Sequence, residues 1–472
     1  MSQIIGYFIA IIVLGLVGYG ILNRYKSQSV LLLGGMVLMA FSIILGTTKG
    51  FVSAKTSSGF IWFDIFVYIK QILSSRAADL GLLIMVVTGF ARYMDKIGAS
   101  RVLVHFAIKP LFMFQKFPYL ILSFGFIIGQ LMHMVIPSAS GLGVLLMVTM
   151  YPILIRFGLS KTTATAMIAT NSCLDLGPAS GNTVLAAKNA GLPVMEYFVT
   201  YQFPVAIAVT FGVAIAHYFV ARYFEKKLDG GLSNGEPREI EEVVETEALP
   251  PLWYVILPIL PLFLIVTFGY KDVADYLAKF IGFQIHIDII ECMFIAMFFA
   301  MIAEYVRSHN LKTTLASIQI FFDGMAKQFA VVVTLIVAGE TFAKGLTTIG
   351  AVDGLINAAQ SAGLSKTPMI LMMSLIIMGC TLVMGSGNAP FFSFAALAPE
   401  ISRKMGFEAV NILLPMQLTA SVTRSVSPIT AVVVAVCGIS NVSPFEVVKR
   451  TAIPMGVGFI MVQLITILKF GF

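Results

Sequence analysis

The chain has 472 residues, 58% of them hydrophobic and only 12% charged, with a mean hydropathy of +0.92. About a quarter of the residues in a water-soluble domain are charged, so this composition excludes an ordinary soluble enzyme or binding module. The net charge of +7 comes from cations scattered through loops between apolar runs, a pattern that gives no nucleic-acid-binding face.

Apolar runs at 3–23 and 28–46 open the chain, each long enough, or nearly so, to cross roughly 30 Å of hydrocarbon. The first lacks a basic start and a small-residue cleavage site, so it reads as a span and not a removable signal. An amphipathic stretch at 60–75 leads to a span at 77–91 and a basic loop-plus-helix at 92–117. Residues 118–156 are too long for one span at about 1.5 Å per residue, yet no charged loop divides them. They predict a re-entrant hairpin with its tip near Ser138, Ala139, Ser140 and Gly141. A Ser/Thr-rich broken span at 163–187 and a span at 199–221 follow. Residues 222–250 are polar, acidic and punctuated by Gly and Pro, which reads as a water-exposed linker. The same order then recurs: spans at 251–269 and 285–303, an amphipathic stretch at 313–328, a span at 329–343 and a loop-plus-helix at 344–366. An interrupted pair at 367–402, a broken span at 410–437 and a last span at 452–468 complete it.

Local sequence supports duplication. FARYMDKIGA at 90–99 returns as FAKGLTTIGA at 342–351, and Pro178, Glu196 and Pro204 return as Pro428, Glu446 and Pro454. Five spans and one hairpin per half put the linker on the opposite face from the N-terminus, so the second half is expected to run inverted. Basic residues agree: loop 91–117 carries Arg92, Lys96, Arg101, Lys109 and Lys116, while its counterpart carries only Lys344 and Lys366. Positive-inside then puts 91–117 and the linker 226–250 in the cytoplasm and both termini outside; Arg403 and Lys404 run against it. Inverted repeats joined by a polar linker point to a transporter with a midplane site. A channel or an intramembrane hydrolase is the rival class, and no HExxH, GxSxG, P-loop or CxxC pattern supports catalysis. Cys173, Cys292, Cys380 and Cys437 read as small buried hydrophobes.

Helix-breaking clusters inside apolar stretches are tolerable only where they line a polar cavity. Four occur. The hairpin tips offer Ser138, Ser140 and Gly141, and Ser386, Gly387 and Asn388; their bare N–H groups and helix starts favour a carboxylate. Small-residue helix packing is the plainer explanation of the same residues. The broken spans offer Asn171, Ser172, Asn182 and Thr183, and Thr423, Arg424 and Ser427, each set beside a mid-span proline. Any single Ser or Thr there could instead bond its own helix. Arg424 is a costly intramembrane cation, suited to bidentate carboxylate binding or to a structural ion pair. Asp175 could bind a cation, accept a proton or pair with Arg424. His133 reads as a packed neutral histidine, and Glu291 and Glu340 as span-end groups that snorkel or serve helix ends. No metal site is expected.

At these residues the chain resembles the anaerobic C4-dicarboxylate carriers of the Dcu type C family. GSGNAPFFSF (385–394), SPFEVVKRTAIP (443–454), ADLGLLIMVVTGFARYMDKIGA (78–99) and SGLGVLLM (140–147) carry the resemblance, from about residue 57 to 457. It implies a bacterial inner-membrane carrier of succinate, fumarate or malate, working by exchange, symport or efflux. A carrier of amino acids or other organic anions on the same fold is the alternative. The resemblance further implies an elevator-type homodimer in the lipid bilayer. Its scaffold would comprise 1–117 and 251–366, and its transport parts 118–225 and 367–472. No cofactor is implied beyond Na+ or H+ as coupling ion, with Asp175 the candidate group. Sodium coupling is not inherited, because Asn182 stands where an acidic residue is expected and the tips read SASG and SGNA.

Overall fold

The computed structural model describes residues 2–23, 25–48, 50–114, 116–227, 249–361 and 365–470, and the regular structure among them is entirely helical. The expected linker falls almost wholly outside the described residues. In the first half, α1 (Ser2–Leu22) and α2 (Ser27–Ile44) precede α3 (Ile61–Arg76), which continues through a π-helical turn at Ala77–Gly81 into α4 (Leu82–Lys96). Then come α5 (Ala99–Ile108), α6 (Pro118–Val135), α7 (Ala139–Thr149) and α8 (Tyr151–Arg156). The broken span is α9 (Lys161–Ala169) and α10 (Gly181–Ala190). A short α11 (Val194–Glu196) passes through a π-turn at Tyr197–Gln202 into α12 (Phe203–Lys227).

The second half contains α13 (Ile256–Gly269), α14 (Lys271–Ile281) and α15 (Ile289–Ser308). α16 (Leu311–Gln328) continues through a π-turn at Phe329–Val333 into α17 (Thr334–Thr348), and α18 (Ala351–Ser361) follows. α19 (Lys366–Met384), α20 (Asn388–Phe394) and α21 (Ala398–Met405) fill the interrupted pair. α22 (Val410–Arg424) and α23 (Ala431–Ser440) form the second broken span, and α24 (Pro444–Phe470) closes the chain. Apart from α14, and from the π-turn of α11–α12 that α24 lacks, the order of helices and breaks matches the first half.

Ten helical runs among the described residues are long and apolar enough to cross a membrane. The number meets the expectation, but the membership differs. α6 and α19, the first limbs of the interrupted pairs, qualify at 18 and 19 residues, whereas α9–α10 and α22–α23 do not. The stretches at 60–75 and 313–328 are not separate elements either: each is one helix with the span after it, over 36 and 38 residues. A π-turn adds one residue without breaking the backbone ladder. The added residue rotates the apolar face by about 100°, and in sequence that change of phase resembles a boundary.

Helices of the two halves pack directly on one another. α2 lies on α17, where a Cβ on Gly35 would stand 2.7 Å from the backbone of Thr341 and Phe342. α4 meets α16 at Gly89 and Gly324 in the same way. With no water to expel between lipid-embedded helices, such close backbone approach supplies the dispersion contact that holds them. Gln328 ends α16 beside the π-turn, and Val333 in that turn abuts Gly81 of the first-half π-turn.

Candidate functional site

α9 stops at Ala169, and the chain leaves the helical path until Gly181. Asp175 (φ 47°) and Gly177 (φ 130°) adopt left-handed conformations that no helix continues through. The break strips the last carbonyls of α9 of their helical donors, and each unmet group costs several kcal/mol away from water. Within the break, the Thr170 and Ser172 carbonyls still accept from the Cys173 and Asp175 N–H groups at 2.9 and 3.2 Å, and side chains supply further donors. Ser425 Oγ donates to the Ala169 carbonyl at 3.1 Å, Gln130 Nε2 to that of Thr170 at 3.0 Å, and Arg424 Nη2 to that of Ser172. The second break is capped likewise: Thr430 Oγ1 donates to the Arg424 carbonyl at 2.7 Å and Thr451 Oγ1 to that of Ser425 at 2.8 Å. Much of the polar density of these clusters thus serves the breaks themselves.

The two breaks and the two tips enclose a cavity of about 330 Å³, within the usual range for small-ligand sites. The first residues of α7, α10, α23 and the shorter α20 all line it. A helix start presents unbonded N–H groups and a partial positive charge. Arg424 is the one cation among the lining residues and Asp175 the one anion. The potential therefore favours an anionic ligand, with one carboxylate held in reserve beside it.

Asp175 is 5% exposed and has a partner on each oxygen. Oδ1 lies 2.9 Å from His133 Nε2, and Oδ2 accepts from Asn182 Nδ2 at 2.5 Å. Arg424 Nη1 stands 3.7 Å from Oδ2, beyond hydrogen-bond reach. The Asn182 amide also reaches Asn388 Oδ1 at 3.1 Å, tying the first break to the second tip. Arg424 Nε is buried without a partner.

Of the residues singled out in sequence, Ser138, Ser140, Asp175, Ser386, Gly387, Asn388 and Arg424 line the cavity. Gly141 and Ser172 stand just behind: the Gly141 N–H donates to Ser138 Oγ at 3.2 Å, and Ser172 holds Arg424 through its carbonyl. Asn182 backs Asp175. The others turn elsewhere. Thr183 Oγ1 donates to Gln202 Oε1 and accepts from Gln417, Ser427 donates to the Leu382 carbonyl, Asn171 presses on Gly129, and Thr423 is buried away from the lining.

Sequence reasoning passed over Thr88, Gln328 and Val332, which close the cavity from α4, α16 and the π-turn after it; a half-polar helix face was their only signal. Two readings need correction. His133 is not merely packed, because its Nε2 engages Asp175. Glu340 is not at a span end: it sits inside α17, 7% exposed, with Oε1 2.6 Å from Arg76 Nε. Glu291 does serve a helix end, in a capping box with Asp288. No group of three or more His, Cys, Asp or Glu side chains able to hold a metal occurs among the described residues.

Known proteins resemble this chain at two levels. The family model described as "C4-dicarboxylate anaerobic carrier" matches residues 5–471. The "Anaerobic C4-dicarboxylate transporter DcuC" of Escherichia coli (strain K12) is 36% identical over 97% of this chain and 95% of its own. The "Probable anaerobic C4-dicarboxylate transporter DcuC" of Vibrio cholerae serotype O1 is 36% identical over 96% and 95%. In solved structures, the YdaH transporter of Alcanivorax borkumensis superposes with a TM-score of 0.64 at 14% identity, covering 95% of this chain and 99% of its own. MtrF of Neisseria gonorrhoeae gives 0.61 at 15% identity, covering 93% and 95%. At those identities the structural likeness speaks for the fold alone.

Proposed function

The chain belongs to the C4-dicarboxylate anaerobic carrier family, whose named relatives are transporters and not enzymes, and we propose that it carries succinate, fumarate or malate across a bacterial inner membrane. The observation that carries this reading is the convergence of helix starts and Arg424 on one cavity. Arg424 has a free Nε donor, and its planar fork suits one carboxylate in a bidentate grip. The starts of α7 and α10 offer N–H groups to the second.

In this reading the two halves are inverted repeats, and 118–156 and 367–402 are re-entrant hairpins entering from opposite faces. Both termini are periplasmic. The segments 118–225 and 367–472 slide as a transport part against a scaffold of 1–117 and 251–366, in an elevator-type homodimer. Asp175 senses the coupling ion. Transport runs by exchange or by cation-coupled symport or efflux, and needs no cofactor.

Counterflow of labelled succinate in proteoliposomes containing only this protein tests the proposal. Saturable counterflow that unlabelled fumarate and malate inhibit is expected. No counterflow with any of the three, from protein that remains folded, would refute dicarboxylate transport.

A further inference from the structure

We infer that His133 and Asp175 together form a proton-binding site, loaded when Arg424 turns from Asp175 to the substrate; this rests on the dicarboxylate reading above. His133 is 1% exposed on α6 and does not line the cavity, whereas Asp175 does. At 2.9 Å, a proton must lie between Nε2 and Oδ1, because two facing lone pairs would repel. The pair therefore carries one negative charge when His133 is neutral and none after a second proton binds. Nδ1 of His133 is buried without a partner, so the ring has an unused acceptor where a proton can settle.

The charge balance decides when that proton is needed. In the empty site, Arg424 and the Asp175–His133 pair sum to zero. A dicarboxylate brings two negative charges into this buried space. Once the guanidinium swings to a substrate carboxylate, Asp175 loses the cation 3.7 Å from Oδ2 and keeps the neutral partners Asn182 and His133. An uncompensated buried carboxylate is costly. One proton, taken from water in the cavity, removes that charge.

Few other ionisable groups face the pair. The break itself adds Cys173, whose Sγ takes Gln130. α12 adds His217, whose Nε2 is 2.9 Å from Thr170 Oγ1. α7 and α13 carry none.

Calorimetric titration of the full chain in detergent with succinate, in two sodium-free buffers of different ionisation enthalpy, reads the protons taken up. About one proton per succinate is expected. His133→Gln keeps a donor toward Oδ1 but cannot bind the second proton, so it should bind succinate with uptake near zero. Wild-type protein that binds succinate without taking up a proton overturns the inference, as does uptake by His133→Gln equal to the wild type. Should His133→Gln fail to fold, the wild-type titration alone still decides. Absence of any succinate binding by folded wild type would instead strike the dicarboxylate reading.

Discussion

Arg424, at the end of α22, donates through Nη2 to the main-chain carbonyl of Ser172 in the opposite half of the chain. The carboxylate of Asp175 stands 3.7 Å from Arg424 Nη1. The guanidinium thus holds a broken helix together while leaving its Nε without a partner.

Arg424→Ala should abolish succinate counterflow, and Arg424→Lys should restore little of it, because a point charge cannot reproduce the fork. Loss of one buried charge-assisted contact costs about 2–5 kcal/mol, a fall in affinity of well over tenfold. Succinate binding by calorimetry checks this. Near-normal affinity in Arg424→Lys would confine the residue to capping Ser172.

Gly387 lies under α22 so closely that a Cβ would stand 2.3 Å from the Ala420 carbonyl oxygen. Gly387→Ala must push the start of α20 away from α22 and shift the tip that lines the cavity. Counterflow should fall at least tenfold, with a thermal midpoint within a few degrees of wild type, since tips contribute less to stability than packed spans. Unchanged transport would show that the tip has room to shift.

The Arg76–Glu340 pair joins α3 to α17 with Glu340 almost fully enclosed. Glu340→Ala leaves Arg76, whose side chain is 27% exposed, without this partner, and stranding a partly buried charge costs about 1–3 kcal/mol. The thermal midpoint in detergent should drop clearly, and the double variant Arg76→Met/Glu340→Leu should recover much of it. A double variant no better than the single would mean that the pair's geometry, and not its charge balance, is what the fold needs.

Arg156, the last residue of α8, and Lys404, in α21, mark the ends of the two interrupted pairs. If these pairs are re-entrant from opposite faces, Arg156→Cys should react with an impermeant thiol reagent only from one side and Lys404→Cys only from the other. Labelling of both from the same side of intact cells would end the inverted arrangement.

How far the sequence spoke depended on whether a residue's role is local. The breaks at Thr170–Ser180 and Ser425–Thr430 were legible because proline and polar clusters inside an apolar run have few explanations. Asp175 and Arg424 stood out for the same reason. Thr88 and Gln328 did not, since a polar residue on a half-polar helix face carries no mark of what it faces. The π-turns at 77–81 and 329–333 were read as junctions because an inserted residue and a new element shift hydrophobic phase alike. His133 and Glu340 were misread because their partners, Asp175 and Arg76, are 42 and 264 residues away along the chain, beyond any periodicity.

The capping of α9 has a consequence for biogenesis. Ser425 and Arg424 close the carbonyls of Ala169 and Ser172, yet they are made some 250 residues later. While the first half enters the membrane, the break itself offers the Asp175 N–H to Ser172, but the Ala169 carbonyl still lacks its Ser425 donor. It must wait in water, in the insertion machinery or beside lipid headgroups until α22 arrives. Expressed alone, the first half should therefore be a target for membrane quality control, and co-expression of the second half should rescue it.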